Sequence, residues 1–364
     1  MTINYITYDS WWDTDITILP HLSKIAKLRV FVLDSHQESK YPHKEVPENV
    51  YLYVKKQKHR DRNVRSLFTA LSFLWRIKQN SNKEDLFFFI PGKNPFFLFL
   101  AQYFLPKDRT IICSHNYLEH GDVSKRVSSL MEKLKLNFYN KFNYFHFFSK
   151  LQEEYFKKDY LSKKSFYTEM PLKDFGSCPV VKNHDTIKIL FFGLVRDYKR
   201  LDLVIDAING IDCSNLKIVV AGAISEEDKI KYQKMIQDER IYEFHFGFVD
   251  NADIPKYFIE SDFLILPYRS ATQSGPSLIA INYGLPIIAS DIPTFKNLVI
   301  DGKNGFLFKN GDVDSLKMVL GKISQMSKSA IETMKHNQYS FKEEYERKTD
   351  VAQCFKVFIQ QNLN

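Results

Sequence analysis

Short runs of apolar residues alternate along this chain with segments in which apolar residues recur at helical spacing. Such short runs are typical of buried strands, and the spaced segments indicate amphipathic helices. Residues 65–79 show the helical spacing clearly, because Leu67, Leu71, Leu74 and Trp75 follow it. Strands that alternate with helices favour a parallel sheet covered by helices on both faces. The pattern therefore predicts an α/β fold.

The alternation occurs in two blocks, which predicts two doubly wound Rossmann-like domains facing a cleft. A chain of 364 residues is long for a single core and suits two. Between the blocks, Pro171, Gly176 and Pro179 with a polar string predict an interdomain linker over 171–186. The expected segments are a first domain at 1–177, a second at 178–340, and a C-terminal helix at 341–364 that returns toward the first domain. Apolar runs predict strands at 4–7, 28–33, 49–54, 85–90 and 110–114, then at 187–192, 216–221, 242–246, 263–266 and 286–289.

Basic residues are concentrated in the first half of the chain. Residues 1–180 contain 28 Lys and Arg against 19 Asp and Glu, whereas the remainder contains 23 against 24. A basic half indicates an anionic partner: a nucleic acid, a phosphate-bearing lipid or a membrane surface. The sequence carries no zinc-finger, RRM or KH signature, so we expect no nucleic-acid partner.

Two segments mix cations with apolar side chains in a way that suits an anionic membrane surface. One is 55–62, which precedes the predicted helix at 65–79, and the other is 125–141, whose cations are paired with apolar residues that include Phe138 and the adjoining Phe142. They predict peripheral membrane contact through the basic half. A solvated basic face is the alternative.

The cysteines and the N-terminus indicate the compartment. The four cysteines are far apart and form no CxxC pair, which favours a reducing environment over a disulfide framework. The first residues lack the basic region of a signal peptide, and no apolar stretch reaches the roughly 18 residues of a membrane span. We expect a cytoplasmic protein, with peripheral contact on the inner face of the cell membrane.

A glycine and two cations follow the strand predicted at 187–192. Gly193 allows a tight turn and the close approach of a ligand to the backbone. Arg196 offers a planar fork to phosphate oxygens, Lys199 adds a point charge, and the next helix adds its positive end. These features predict an anion site. A solvated loop with surface cations is the alternative.

A second loop, rich in small and hydroxyl side chains, follows the strand predicted at 263–266. It enters a helix near Pro276 and can present backbone N–H groups and hydroxyls to an anion. The candidate donor-contacting residues here are Thr272, Gln273, Ser274, Gly275 and Ser277. An ordinary helix cap by Ser274 or Ser277 is the alternative.

Together with Gly284–Leu285–Pro286 and the turn at 301–307, these segments resemble the donor domain of retaining glycosyltransferases of family 4, which have the GT-B fold. The resemblance covers residues 187–310. It implies transfer of a sugar from a UDP- or GDP-linked nucleotide sugar to a glycan or lipid-diphosphate acceptor, in bacterial surface-polysaccharide synthesis. The first domain would bind the acceptor and the second the donor. A catalytically inactive nucleotide-sugar-binding relative and a nucleotide-sugar epimerase are the alternatives.

The resemblance assigns roles to individual residues of the second domain. Lys199 lies six residues after Gly193, as the diphosphate-binding lysine of the family does, and Arg196 is expected to act as its arginine. These two cations and a helix dipole would neutralise the leaving diphosphate, so we expect no metal and no other cofactor. The loop that contains Phe248 matches the place where the family holds the nucleotide base.

The chain departs from the family at its pair of glutamates, which are separated by seven intervening residues. Their positions are occupied here by Ala271 and Ile279, and the loop instead resembles a branch that reads TQSG. Thr272, Gln273 and Ser274 are therefore expected to replace the missing carboxylates at the ribose and the sugar.

Candidate residues of the first domain follow its predicted strands. The family has a histidine beside the donor sugar where this chain has His115, so the resemblance implies a catalytic role; an ordinary strand-end histidine is the alternative. His120 could contact the acceptor. Trp11 and Trp12 could stack on a sugar or simply pack in the core, and Asp13 could act on the acceptor hydroxyl.

Overall fold

The protein divides into two compact units, each built on one parallel sheet. The computed structural model describes residues 1–34, 46–47, 49–59, 63–92, 94–115, 117, 130–179, 185–212 and 214–363. The first unit is Met1–Pro171 together with Thr349–Asn364, and the second is Leu172–Lys348. The chain thus leaves the first unit six residues before the boundary predicted from its sequence, and it re-enters that unit at residue 349 rather than 341.

The sheet of the first unit has seven parallel strands in the order β3-β2-β1-β4-β5-β6-β7. The direction of strand order therefore reverses between β1 and β4. Its strands are β1 (Thr2–Tyr8), β2 (Lys27–Asp34), β3 (Tyr51–Lys56), β4 (Leu86–Phe89), β5 (Thr110–Cys113), β6 (Tyr144–Phe147) and β7 (Lys164–Tyr167). The helices among them are α1 (Trp12–Ser23), α2 (Arg65–Gln79), α3 (Pro95–Phe104), α4 (Leu130–Lys141) and α5 (Lys150–Asp159).

Aromatic side chains fill the core of this unit. Helix α2 has the bounds that its spacing predicts, but Trp75 lies on its solvent face while Phe73 and Ile77 are buried. On α4, Phe138 and Phe142 are core residues packed against each other. Their prediction as part of a membrane-docking segment is therefore wrong, because the sheet already covers them.

The sheet of the second unit has six parallel strands in the order β10-β9-β8-β11-β12-β13, which reverses between β8 and β11. Its strands are β8 (Ile187–Phe192), β9 (Leu216–Gly222), β10 (Tyr242–Phe246), β11 (Phe263–Leu266), β12 (Ile287–Ser290) and β13 (Gly305–Phe308). Its helices are α6 (Leu201–Asn209), α7 (Glu226–Met235), α8 (Ile254–Glu260), α9 (Gly275–Asn282), α10 (Pro293–Lys296), α11 (Val313–Ser324) and α12 (Lys328–Lys348). Apolar side chains alternate along β8 into cores on both faces, which confirms the predicted doubly wound fold.

The beginning of the predicted linker is folded structure of the second unit. The backbone N–H of Phe175 donates to the Tyr283 hydroxyl over 2.9 Å, and that hydroxyl donates to the carbonyl of Gly176 over 2.8 Å. Residues 172–176 therefore pack beside the end of α9, where the proline and glycine content alone predicts a free connection.

The last helix, α13 (Val351–Asn362), belongs to the first unit. Its Phe355 packs against Phe88, His146 and Phe166. Burial lowers the pKa of His146 well below its usual range, and this imidazole bonds to the Thr168 hydroxyl over 2.9 Å. No helix among the described ranges has the length and apolar character to cross a membrane.

Candidate functional site

The loops after β8 and β11 meet where the strand order of the second unit reverses. These two strands are neighbours, but β8 is followed by β9 on one side and β11 by β12 on the other. At such a reversal the connections leave a crevice beyond the carboxyl ends of the strands, which is where open parallel sheets bind ligands. Gly193 follows β8, and the predicted TQSG loop follows β11.

Lys199 places a buried ammonium at this point. The residue is 6% exposed, its Nζ donates to the carbonyl of Phe192 over 3.3 Å, and it lies 5.3 Å from the ring centre of Tyr268. Burial lowers the pKa of Lys199 to about 8. Among the described residues no carboxylate forms an ion pair with it. A buried cation without a counter-charge is unfavourable in an empty site and favours an anionic ligand.

Glycine is required where the first loop leaves the sheet. Gly193 has a φ of 91°, and a Cβ built on it would lie 3.1 Å from Nζ of Lys199 and 3.9 Å from Pro276. Gly222, at the end of β9, has a φ of 147°, and its Cβ would lie 2.2 Å from the carbonyl oxygen of Gly193. The two backbones approach each other as closely as they do because Gly222 has no side chain.

Substitution of Gly222 by alanine is expected to displace the Gly193 turn. The new methyl group would overlap a backbone oxygen, which no rotamer can relieve, so we expect a loss of roughly 1–3 kcal/mol of unfolding free energy. Urea unfolding measures this loss. Gly321→Ala in α11 is the matched control, because its Cβ meets open space and alanine favours the helix. Equal stability of the two variants would contradict the crowding inferred at Gly222.

The second loop caps α9 with its own hydroxyl groups. The Ser274 hydroxyl accepts from the N–H of Ser277 over 3.3 Å, and the Ser277 hydroxyl donates to the carbonyl of Ser274 over 2.7 Å. Both hydroxyls thus have a structural role. Nε2 of Gln273, by contrast, is buried and has no hydrogen-bond partner among the described residues. Gln273 is therefore the member of this loop with an unused donor, and a ligand oxygen could satisfy it.

Bonds between the two loops hold them together. The N–H of Arg269 donates to the carbonyl of Tyr198 over 2.8 Å, and its guanidinium lies 3.2 Å from the carboxylate of Asp197. The hydroxyl of Ser290, on the neighbouring strand β12, donates to the carbonyl of Tyr268. The backbone bonds in this set do not depend on charge, so they fix Lys199 relative to the start of α9.

Lys173 is a further cation at this site that the sequence analysis missed. Its side chain is buried, and its Nζ lies 3.7 Å from the position of a Cβ on Gly275, the first residue of α9. A Cβ built on Gly193 would lie 3.1 Å from Nζ of Lys199 and 3.9 Å from Cγ of Pro276, the next residue along. Two buried ammonium groups therefore flank the first turn of this helix, whose N–H groups also attract negative charge. No local sequence pattern marks Lys173 as a site residue, because only the fold of residues 172–176 brings it next to α9.

Other predicted residues of the second unit lie at the same sheet edge with different exposure. Arg196 is exposed in the loop after β8, and Phe248 is exposed after the edge strand β10. Thr272 is half-buried. Ile279, at one of the missing glutamate positions, is buried in α9, so no carboxylate reaches the site from there.

The predicted residues of the first unit follow two of its strands: β1, where the strand order reverses, and β5. The Trp11 indole, after β1, stacks on the imidazole of His115 with ring centres 3.9 Å apart and planes 7° apart. His115 is buried and also contacts Phe148. Asp13 is half-buried in the first turn of α1.

Trp12 and His120 do not join this group. Trp12 is 1% exposed, so the structure assigns it to the core rather than to an acceptor-stacking face. His120 lies outside the described residues.

A cavity of about 700 Å³ lies at the opposite edge of the second sheet. It is lined by the amino ends of β8, β9 and β10, including Lys188, Lys217 and Glu243. Its charges are of both signs and largely paired among themselves or with backbone. We assign the functional site to the carboxyl edge, because the buried cations, the tight glycine turn and the strand reversal coincide there. In the part of the chain that the structure describes, no cluster of His, Cys, Asp and Glu has the arrangement of a metal site.

Comparison with known protein families gives a match to most of the second unit. Residues 178–340 match the family model described as "Glycosyl transferases group 1". This segment is the part of the second unit that holds the Gly193 turn, Lys199 and the loop before α9. Residues 178–340 are therefore similar to the group 1 glycosyl transferases.

Two curated proteins are similar to part of the chain. One is an uncharacterized 41.2 kDa protein in the cps region of Klebsiella pneumoniae, 26% identical over 136 residues, or 37% of this chain and 36% of that protein. The other is a GDP-mannose:glycolipid 4-beta-D-mannosyltransferase of Xanthomonas campestris, 24% identical over 104 residues, or 28% of this chain and 30% of that protein. The matched regions thus span about one third of the length of either relative.

The whole fold is similar to that of solved proteins. HepE of Anabaena, whose crystal structure is a complex with UDP and glucose, matches with a TM-score of 0.70 and 14% identity, over 99% of this chain and 99% of that chain. The similarity shows a shared fold of two parallel-sheet Rossmann-like domains, the GT-B fold that the sequence motifs predict.

Proposed function

We propose that this protein is a retaining glycosyltransferase of family 4 that transfers a sugar from a UDP- or GDP-linked donor. The observation that carries the proposal is the buried ammonium of Lys199 beside Gly193 and the first turn of α9. A diphosphate is the ligand whose charge and size suit this position. The group 1 match over 178–340 and the nucleotide named with HepE support the same ligand class.

In the proposed reaction the bond between the anomeric carbon and the diphosphate oxygen breaks, and the diphosphate leaves with the electron pair. The acceptor hydroxyl oxygen forms the new bond to the anomeric carbon, and its proton passes to the leaving diphosphate. Lys199 and the exposed Arg196 would neutralise the developing negative charge, and the N–H groups at the start of α9 would add to this. The protein's own cations would thus do the work that a metal does elsewhere. Lys199 suits the task because its ammonium is already desolvated, so its attraction to phosphate is little screened.

The remaining donor contacts are proposed from their place around this centre. Gly193, Gly275 and the cap residues Ser274 and Ser277 would shape the backbone against the diphosphate. Nε2 of Gln273 would donate to the sugar or the ribose, with the Thr272 hydroxyl beside it. The loop of Phe248 would hold the base.

The first unit would supply the acceptor side. His115 is proposed as the catalytic histidine, and its stacking on Trp11 would fix the orientation of its ring. Asp13 and Trp11 are the proposed acceptor contacts, with His120 as a further candidate. A glycan or lipid-diphosphate acceptor fits the basic charge of residues 1–180, and a role in surface-polysaccharide synthesis fits the cps region and the glycolipid named with the two relatives. The protein would act in the cytoplasm, in peripheral contact with an anionic membrane.

Thermal unfolding in the presence of nucleotides tests the donor site. UDP, GDP and ADP and their sugars would be titrated against the wild type and Arg196→Ala/Lys199→Ala. A ligand that binds only the native state raises the midpoint with the logarithm of its excess, so one nucleoside diphosphate is expected to raise the wild-type midpoint by several degrees and to leave the variant unchanged.

The matched control is Lys231→Ala/Lys234→Ala on α7, which removes the same charge from an exposed surface of the same unit. It should retain the full ligand shift. If no nucleotide raises the unfolding midpoint of the wild type, the proposed function is wrong. If both variants lose the ligand-induced rise equally, the effect depends on the total positive charge of the unit and not on Lys199.

A further inference from the structure

Four large aromatic side chains are exposed on two adjacent helices of the first unit. On α2, Phe68 is 69% exposed and Trp75 is 57% exposed; on α3, Phe99 is 47% exposed and Tyr103 is 71% exposed. The helices α2 and α3 pack against each other, and the rings of Phe99 and Tyr103 are in contact. We call these four residues the aromatic face. Contiguous exposed apolar side chains are typical of interaction surfaces, and these four lie on neighbouring helices.

The aromatic face is not a misplaced part of the core. Phe68 and Trp75 are seven residues apart, which is close to two helical turns, so they share one side of α2. The buried residues Ala70, Phe73 and Ile77 occupy the opposite side and complete the packing against the sheet. Helix α2 therefore has two apolar sides, and only one of them is needed for folding.

The charged residues of the two helices that carry the aromatic face are all cations. Neither 65–79 nor 95–104 contains an Asp or a Glu. On α2, Arg65 and Lys78 are exposed and, at 100° per residue, flank the Phe68–Trp75 stripe on either side. Such a pattern, with aromatic side chains between cations, suits insertion at the depth of lipid head groups.

Two further cations lie beside the start of α3. The carbonyl of the buried Gln57 side chain accepts from Asn94, which caps α3, over 2.9 Å. Lys56 and Lys58, on either side of Gln57, are exposed. This bond places the basic strand end beside the helix that carries Phe99 and Tyr103. Lys56 and Lys58 of the basic segment at 55–62 thus lie beside the start of α3.

We propose that the aromatic face and its flanking cations dock this protein on a membrane surface rich in anionic lipid. The inference rests on the proposed function, of which it specifies the membrane-contacting surface. The aromatic rings would enter the interfacial region, and the cations would remain at the head groups, each contributing about 1 kcal/mol of attraction there. The lack of any carboxylate on the two helices removes the repulsion that an anionic surface would otherwise meet.

Co-sedimentation with vesicles tests the proposal. The full-length protein would be mixed with vesicles of phosphatidylcholine and phosphatidylglycerol in equal parts, and with vesicles of phosphatidylcholine alone. We expect binding to the first kind and a partition roughly tenfold or more weaker for Phe68→Ser/Trp75→Ser. Ile230→Ser/Met318→Ser is the matched control, because it removes two exposed apolar side chains from the second unit and should bind as the wild type does.

Trp75 also reports the contact directly. The chain has three tryptophans, of which Trp12 is buried and Trp11 is stacked on His115, so Trp75 is the one most exposed to water. Anionic vesicles are expected to shift the emission to shorter wavelength. Trp75→Phe should abolish most of this shift while retaining binding, because the ring stays apolar.

The proposal would be overturned if the wild type did not bind anionic vesicles, or if Phe68→Ser/Trp75→Ser bound them as well as the wild type does. It would also be overturned if the wild type self-associated in gel filtration and this variant did not, because the aromatic face would then bind a second copy of this chain. Nucleotide-dependent thermal shifts of the same variant separate this failure from that of the donor site. Unchanged shifts with lost vesicle binding support the docking face alone. If the variant also loses the nucleotide-dependent thermal shifts, it is misfolded and does not test the docking face. In that case the vesicle binding and tryptophan emission of Trp75→Phe test the proposal.

Discussion

Replacement of Lys199 by methionine is expected to lower the rate of sugar transfer by roughly 10²–10³-fold. The removal of one preorganised group that stabilises developing charge has an effect of this size when the site excludes water. Lys199 meets that condition, because it is buried between the carbonyl of Phe192 and the ring of Tyr268. Methionine retains most of the volume, so the fold should persist. Turnover of the donor identified by the thermal shifts, compared between wild type and variant, measures the loss.

The pH dependence of nucleotide affinity provides a second readout of the same residue. Burial lowers the pKa of Lys199 from its ordinary value to about 8. The ammonium is charged below pH 8 and loses its proton above it, so affinity for a nucleoside diphosphate should fall as the pH rises through 8, by up to about tenfold per unit. Without ligand the unfolded chain binds more protons than the native state between about pH 8 and 10.5, so this group makes the free energy of unfolding rise with pH in that window.

Lys199→Arg is the control for the pH profile. Its guanidinium stays charged throughout, so the affinity should be nearly independent of pH above 8. Titration calorimetry from pH 7 to 10 compares the two proteins. A flat profile in the wild type would show that Lys199 is not the cation that meets the diphosphate, even if the site binds nucleotide.

The second large effect is expected from the buried ion pair that joins α12 to the sheet of the second unit. Nζ of Lys335 lies 2.8 Å from Asp262, whose other oxygen accepts from the N–H of Lys188 over 3.0 Å. Both residues are buried. Lys335→Met leaves a buried carboxylate without its counter-charge, which should lower the free energy of unfolding by about 3–5 kcal/mol. Guanidinium unfolding followed by circular dichroism measures the change.

A double variant separates the cost of the unpaired charge from the contribution of the pair. Lys335→Met/Asp262→Asn leaves no buried charge, and the amide oxygen can still accept from Lys188, so we expect it to be more stable than Lys335→Met alone. Lys317→Met, which breaks an exposed pair with Asp314, should leave the midpoint unchanged. If Lys335→Met behaved as this surface variant does, the buried ion pair would not contribute to the attachment of α12.

Much of the fold follows from apolar spacing, and the exceptions have a common cause. The bounds of β8 and α2 agree with the apolar pattern, because short buried runs and helical spacing reflect contacts within a few residues. The same reasoning assigned Trp75 to the buried stripe, and Phe138 and Phe142 to a docking segment. Periodicity shows which residues share a side of a helix, but not which side meets the sheet when both are apolar.

Some residues of the candidate site could be predicted from the sequence, whereas others could be distinguished only in the structure. Gly193, Lys199 and Ser274 could be singled out because a strand, a glycine and a following helix lie close together in the sequence, and local chemistry sets their roles. Gln273 could be named but not distinguished from its neighbours, since only the structure shows that Ser274 and Ser277 bond to each other while Nε2 of Gln273 does not bond to the described chain.

The sequence by itself determined the two-block α/β architecture, the position of the glycine turn after β8 and the basic character of the first half, because each depends on residues that are neighbours in the chain. The tertiary structure alone decided that Lys173 stands beside α9, that Trp12 is core while Trp75 is exposed, and that residues 349–364 complete the first unit. These features depend on contacts between residues far apart in the sequence, and no local pattern encodes which distant surface a side chain will meet.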